Sequence, residues 1–498
     1  MAADVNPENK SSWSGLSIFR NWFSLAGLVV VAGSFFAFLF LLTMDLFTPG
    51  GNPYMGILAY LVAPTFTVIG VALIVFGLFL ESRQIAKHAG GKWALPRLMV
   101  DLSRKRDRRN LVFFMGASAF FLLITAIGSY QSYHFTESTA FCGQSCHTVM
   151  QPEFTTYLHS PHARVACAEC HIGSGASWYV KSKFSGIYQV YATLFDKFPR
   201  PIKTPIKNLR PAQETCEQCH WPKKFVGNLD RVYSHFLSDA TNTPFSVRLL
   251  LKVGGGDPTH GPVGGIHWHM NIGHKVEYIA ADEQRQVIPW VRITKPDGRH
   301  VEYATKGFQF DPKKHAIRTM DCMDCHNRPT HIFQSPNEAV DQALSIAQLD
   351  PSMPSIKKEA VHLLTQEYAT QTEAEEKIAA GMKGKYPGDP RLAAATEAIR
   401  HIYRQNFFPE MKSNWRAYPN NIGHTDWPGC FRCHDGEHVS ADGEQTIKAN
   451  DCNACHVILA QGSGRELQKL SAEGHSFNHP GGDIGDLRCT DCHTGANQ

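Results

Sequence analysis

"CMDCHNRPTH", residues 322–331, sets two cysteines two residues apart, places a histidine directly after the second, and adds another histidine five residues on. Two thiols at this spacing add across the vinyl groups of a porphyrin, and the adjacent imidazole then reaches the iron. C-x-x-C-H is therefore the attachment signature of c-type haem. The signature recurs along the chain. All 14 cysteines fall into seven pairs: Cys142/Cys146, Cys167/Cys170, Cys216/Cys219, Cys322/Cys325, Cys430/Cys433, Cys452/Cys455 and Cys489/Cys492. A histidine follows each pair: His147, His171, His220, His326, His434, His456 and His493. Structural zinc also uses Cys-x-x-Cys, but it needs no histidine immediately after every pair, and a disulfide framework would not impose one. No cysteine is left for a thiol nucleophile. The chain reads as a cytochrome with seven covalently attached haem c groups.

The 498 residues also contain three apolar runs, Phe23–Met44, Ile57–Leu80 and Leu111–Tyr130, each free of Asp, Glu, Lys and Arg. Each is long enough to cross the hydrocarbon core of a bilayer. The first is too long for a signal peptide and lacks a small-residue cleavage site after it, so it reads as an anchor. Orientation follows from the basic residues. Residues 81–110 hold nine Lys/Arg, including "RKRDRR" at 104–109, whereas residues 45–55 hold none. Between two spans such a run is a topology signal rather than a nucleic-acid site, and it places this loop in the cytoplasm. Residues 1–22 are then a cytoplasmic tail, and everything after Tyr130 lies in the periplasm, where haem c is attached. The loop has a surplus of six positive charges in a chain of net charge +4, which leaves the remainder two negative. The expected location is the bacterial cytoplasmic (inner) membrane.

The expected fold is mostly α: three transmembrane helices, then a periplasmic multihaem domain of short helices and loops with a small β insert. First cysteines follow one another at 25, 49, 106, 108, 22 and 37 residues, so two intervals hold something extra. In the first, "VRLLLKV", "HKVEYIAAD" and "VIPWVRITKPDGRHVEYAT" alternate like strands, with a turn at Pro296-Asp297-Gly298, which predicts a β insert at about 244–306 of a four-haem region spanning 131–331. In the second, apolar residues recur with helical period, which predicts a helical insert over 332–410 before a three-haem region at 411–498. Neither insert carries a catalytic signature; both read as scaffold or docking surface.

A bis-histidine haem needs a second imidazole. His162 lies five residues before Cys167, His267 and His269 flank Trp268, and His331 follows the fourth motif. His424 and His438 flank the fifth motif, and His479 precedes Cys489 by ten residues. These are the candidate distal ligands. His88 lies in the cytoplasmic loop, and His300 sits on the hairpin.

The stretch "CGQSCHTVM…HSPHARVACAECH…CEQCH…CMDCHNRPTH" resembles the NapC/NirT/NrfH family of membrane-anchored quinol dehydrogenases. Three spans and seven haems make the chain similar to larger inner-membrane cytochromes of metal-reducing bacteria. The resemblance implies Met150 as a ligand of the first haem, and His162 and His331 as distal ligands. It also implies a quinone pocket with a lysine after the second motif and an acidic group beyond it. Lys183 fits the lysine, but the position six later is Gln189; Asp196, seven further, would share the helical face. Residues 178–198 carry seven aromatics, a composition suited to a helix in the membrane interface.

The first motif differs from the others, with three residues between its cysteines. Cys142 lies 12 residues after Tyr130, so its haem is expected at the membrane surface, facing the quinone. His147 or Met150 would be its axial ligand, and the opposite position would be open or loosely held. The function expected is a membrane-bound quinol:cytochrome c oxidoreductase. It would pass electrons from menaquinol through seven haems to a periplasmic cytochrome, with the membrane lipid and quinone pool as partners, alone, as a homo-oligomer or in a larger complex. A terminal reductase of a small oxyanion is disfavoured because all seven motifs end in histidine rather than lysine. An electron-transfer subunit of a larger quinone-oxidising complex is the third reading.

Overall fold

The computed structural model describes residues 21–47, 58–88 and 102–496, apart from 146, 174–175, 207–208, 222–224, 256–263, 271–272, 449–451, 484 and 486. The chain forms two compact units, residues 1–145 and 146–498.

The first unit is built from uncharged runs of Leu, Val and Phe that form helices α1 (Trp22–Phe47), α2 (Ala63–His88, preceded by a π turn at Leu58–Val62) and α3 (Lys105–Thr136). Among the described residues, Trp22–Thr43 and Leu58–Glu81 are long and apolar enough to cross a membrane. The third predicted span, 111–130, lies wholly inside α3; residues 89–101 of the basic loop lie outside the described residues. Small residues let α1 and α2 approach closely. A Cβ on Gly27 would stand 2.6 Å from the Gly70 carbonyl oxygen. The hydroxyls of Ser34 and Thr67 meet across the same seam at 2.9 Å. Such packing suits helices that cannot rely on hydrophobic exclusion from lipid.

The second unit holds helices α4 (His147–Leu158), α5 (Ala176–Leu194), α6 (Pro336–Ser345), α7 (Ile356–Thr365), α8 (Gln371–Lys385) and α9 (Leu392–Asn406), each of at least ten residues, besides single turns at the cysteine pairs. The predicted helical insert is this α6–α9 group. Ser335 and Thr370 cap α6 and α8 by accepting from the amides of Glu338 and Glu373. The inward faces and the α6–α7 connection supply the main core: Leu349, Met353, Ile356, Val361, Ile378, Met382 and Ile399 are fully buried, and Val149 of α4 joins them.

Two antiparallel sheets replace the single small insert expected from the sequence. Strands β1 (Leu229–Phe236), β2 (Pro244–Leu251), β3 (Lys275–Ile279), β4 (Trp290–Thr294), β5 (His300–Ala304), β6 (Arg318–Thr319), β7 (Val439–Ser440) and β8 (His456–Gly462) order as β1-β2-β8 and β6-β3-β4-β5-β7. The predicted hairpin is β4–β5, with Gly298 at φ +82° in its turn. Strands outside 244–306 join as well: β1 pairs with its neighbour β2, and β8, which begins at the sixth-motif histidine His456, pairs with β2 from a remote part of the chain. A local periodicity cannot reveal such a pairing.

Candidate functional site

The haem motifs share one backbone device. At His220, His326, His434 and His493 the amide donates to the carbonyl of the first cysteine of its pair at 2.7–3.1 Å. One helical turn thereby gathers two thiols and an imidazole. Cys167–His171 forms the same turn, and Cys452–Cys455 forms one that leads into β8. The first motif does not: Phe141–Ser145 is a π turn, and α4 begins at His147. The extra residue is absorbed by the wider turn, a feature frequent at functional sites. Cys146 and the side chain of His147 lie outside the described residues. Met150, one turn along α4, is half-buried.

The predicted thioether cysteines are not uniformly enclosed by protein. Cys219, Cys325, Cys430, Cys452 and Cys492 are exposed, whereas each described first or second partner in the other positions is half-buried. In the third motif the two cysteines differ, with Cys216 half-buried and Cys219 exposed. The motif winds as a tight 3₁₀ turn, Cys216–Gln218, and Cys219 falls just beyond it, its amide donating to the Cys216 carbonyl at 3.1 Å. Gln218, His220 and Trp221 beside it are exposed as well, so this end of the third motif stands at the surface. The sequence treats Cys216 and Cys219 as equivalent, and the structure places them in different surroundings.

Each of the six motif histidines after His147 faces one histidine from elsewhere in the chain. Ring centres stand 6.3 Å apart for His171 and His331, 6.0 Å for His220 and His162, and 6.3 Å for His326 and His267. They stand 5.9 Å apart for His434 and His269, 6.2 Å for His456 and His424, and 6.0 Å for His493 and His479. A metal–imidazole bond is about 2 Å and the ring centre lies roughly 1 Å behind the nitrogen, so two imidazoles sharing one metal axially have centres about 6 Å apart. Six pairs at this spacing fit an iron between them. They do not fit zinc: among the described residues no three His, Cys, Asp or Glu side chains gather around one point.

Second nitrogens orient several of these rings. Nδ1 of His267 meets the Val253 carbonyl at 2.5 Å, and that of His269 meets the Ile266 carbonyl at 2.8 Å. Nδ1 of His331 meets the Glu153 carbonyl at 2.9 Å, and that of His162 meets the Pro329 carbonyl at 3.2 Å. A proton donated there leaves Nε2 bare for a metal. Burial lowers the pKa of His171, His269, His326, His331, His424, His434, His456 and His493, which keeps these rings neutral and their lone pairs available.

His438 is placed differently. It is fully buried, its Nδ1 is 2.8 Å from Asp435 Oδ1 and its Nε2 is 2.8 Å from the Ile288 carbonyl. Both nitrogens are engaged with protein groups, so neither is left for iron, contrary to the expectation from its place beside the fifth motif.

Neighbouring motifs also touch. The side chains of Cys216 and Cys322 lie close together. Arg432, inside the fifth motif, donates to the carbonyl of Asp324, inside the fourth, at 2.7 Å. The Asp324 carboxylate is buried and receives Tyr278 at 2.6 Å, Arg318 at 2.8 Å and Arg285 at 3.0 Å. One turn, Ile266–Met270, presents both His267 to the fourth motif and His269 to the fifth. His424, opposite the sixth motif, stacks on Phe431 of the fifth with centres 4.4 Å apart. The third through sixth sites thus form a continuous series.

Of the quinone-pocket candidates, Lys183 and Gln189 lie on α5, with Lys183 half-buried and the Gln189 amide 3.4 Å from Ser185 Oγ. Asp196 does not share their helical face. The helix ends at Leu194, and Asp196 has φ +51° and pairs with Arg200 at 2.6 Å. That hydrogen bond lowers its pKa, so its carboxyl is a poor proton acceptor. Phe184, Ile187, Tyr188, Tyr191 and Leu194 form an exposed stripe along α5.

Sequence reasoning missed Glu153, Arg328 and Asp324, which brace the site through their side chains. Arg328 stands inside the quoted decapeptide, but no local rule ties it to Glu153, 175 residues away.

The family model for the N-terminal region of the NapC/NirT cytochrome c family matches residues 104–213. The chain is 42% identical over 501 residues to the cytochrome c-type protein ImcH of Geobacter sulfurreducens, covering 97% of this chain and 96% of that protein. It is 30% identical over 114 residues to the cytochrome c-type protein NrfH of Wolinella succinogenes, covering 22% of this chain and 63% of that protein. No solved structure matches.

Proposed function

Because the chain belongs to the NapC/NirT cytochrome c family of membrane-anchored, electron-transferring multihaem proteins, we propose that it is a quinol dehydrogenase. It would oxidise menaquinol in the bacterial inner membrane and deliver electrons through seven haems to a periplasmic cytochrome. The observation that carries this reading is the set of six histidine pairs with ring centres 5.9–6.3 Å apart, each including one motif histidine. Bound haem would supply one-electron carriers in series.

The chain's own residues do the rest. Pairs of cysteines would fix the porphyrins, and at six sites the paired histidines would supply the ligands of the iron. His147 and Met150 would serve the first site, where the π turn sets the thiols differently. Lys183 and Gln189 would orient the quinol head group. Asp196, held ionised by Arg200, would not take its proton. The exposed aromatic stripe of α5 suits the headgroup region of a bilayer, where the quinol would be met. With α3 as a third span and the basic loop in the cytoplasm, the haem sites lie in the periplasm.

Intact-mass measurement should show seven haems on the purified chain, and a menaquinol analogue should reduce them without any partner subunit. Replacing His424 by alanine should convert one low-spin haem to high-spin, whereas His438→Gln should leave all of them low-spin. Fewer haems, or reduction that needs a second protein, would favour an electron-transfer subunit instead.

A further inference from the structure

We propose that Glu153 and Arg328 are positioning residues that aim His331 at His171 and, through their opposite charges, set the reduction potential of the haem held between those two rings. The inference rests on the reading that this pair holds a haem. It concerns how the protein tunes that haem, which the ligands alone do not determine.

Glu153 lies on α4 and touches His331 twice: its carbonyl is 2.9 Å and its carboxylate 3.4 Å from Nδ1. Arg328 closes the other side. Its Nε donates to the His331 carbonyl at 2.7 Å, and its guanidinium meets the Glu153 carboxylate at 3.1 Å. This is a built arrangement rather than a surface pair. Arg328 is 8% exposed, and its guanidinium lies over the Tyr418 ring at 4.3 Å and the Phe333 ring at 5.2 Å. The result is a histidine fixed at its backbone by an arginine and at its ring by a helix carbonyl, with one negative and one positive charge beside it.

Partners of this kind fix the tautomer and raise the basicity of a metal-bound imidazole. An oxidised haem carries one more positive charge than a reduced one. A negative charge nearby therefore favours the oxidised form and lowers the potential, and a positive charge does the reverse. Surrounding protein strengthens both effects over their values in water. The two side chains oppose each other, so removing either one alone unbalances the site in a direction fixed by its charge. A merely structural pair would give the same sign for both.

The test is a spectroelectrochemical titration of the full haem-loaded protein, with electron paramagnetic resonance to identify the haem. His331→Met marks it, since the variant must change one low-spin signal. Glu153→Gln keeps the shape and the backbone carbonyl, and should make that haem about tenfold easier to reduce, a rise of about 59 mV for one electron. Arg328→Met should shift it downward, Arg328→Lys should keep it near the original value, and Glu153→Gln with Arg328→Met should fall between the single variants. If Arg328→Met loses haem, Glu153→Gln alone still decides the matter by raising or not raising the potential. Shifts of the same sign, or no shift with Glu153→Gln, overturn the proposal. If His331→Met leaves every low-spin signal intact, it is the haem reading of this pair that fails.

Discussion

Helices α6–α9 and the turns that carry the second to seventh cysteine pairs belong to the same compact unit, yet different interactions order them. The helices enclose a continuous aliphatic core in which Ile378, Met382 and Ile399 have no exposure at all. Around the motifs the apolar cluster is small, essentially Val276, Tyr278, Ile288 and Val291. The motif cysteines are half-buried or, like Cys219, exposed, and facing imidazoles are held a metal's width apart. Where the helices bury methylenes, the motif region is tied by charged side-chain hydrogen bonds such as those at Asp324. One region is completed by its own side chains, and the other is shaped for a group the side chains must receive. That division explains how a long insert without cofactors can sit inside a chain so rich in haem motifs.

The largest effect should come from withholding haem. In chain produced without haem attachment, amide hydrogen exchange should remain slow in α6–α9 and become fast at the turns Cys167–His171, Cys322–Cys325 and Cys489–Cys492. Local stability tracks buried apolar contact, and the turns have little of it. Uniform protection, or uniform loss of it, would erase the distinction between the two regions.

A core substitution probes the same division from the other side. Ile399→Ala should cost about 2–5 kcal/mol, read as a lower denaturant midpoint for the helical region. The visible spectrum of the attached haems should stay unchanged in native buffer. Loss of low-spin character in this variant would mean that the helices hold the ligands in place and that the two regions are one cooperative structure.

The two regions also differ in how much the sequence discloses. Helical period and capping residues announce α6–α9, because a helix face is a local property. The motifs are equally plain, since cysteines and histidine are neighbours in the chain. Partners are not. His331 follows the fourth motif but faces the second, and His162 precedes the second but faces the third. His438 resembles the other candidates in sequence, yet the Ile288 carbonyl, 150 residues distant, occupies its ring. Asp196 reads as sharing a helical face because the composition of α5 gives no sign that the helix stops at Leu194. The extra residue in the first motif is visible, whereas the π turn that absorbs it is not. Nor does the uniform spacing of the third motif show that its turn closes at Gln218 and leaves Cys219 at the surface. Spacing along a chain reveals groups that act with their neighbours, and tertiary hydrogen bonds decide the others.

The finest test asks whether the motif region is preset or adjusts to its cofactor. The facing rings are not oriented alike: His267 and His326 are nearly parallel, with 4° between their planes, whereas His269 and His434 are crossed at 84° and His162 and His220 at 73°. Parallel axial imidazoles raise the same iron d orbital and split it from its neighbour; crossed ones act on both and leave them nearly equal. Oxidised protein should therefore show two kinds of low-spin paramagnetic resonance, a rhombic one from the His267 site and a broad one with a large principal g value from the His269 site. His267→Met should remove part of the first and His269→Met part of the second, although these ligands are two residues apart in one turn. Carbonyls of Val253 and Ile266 hold the two rings by Nδ1, so the angles are imposed by backbone rather than by iron. If every haem gives the same rhombic signal, the rings turn when haem is attached, and the motif region is less preset than its hydrogen bonds imply.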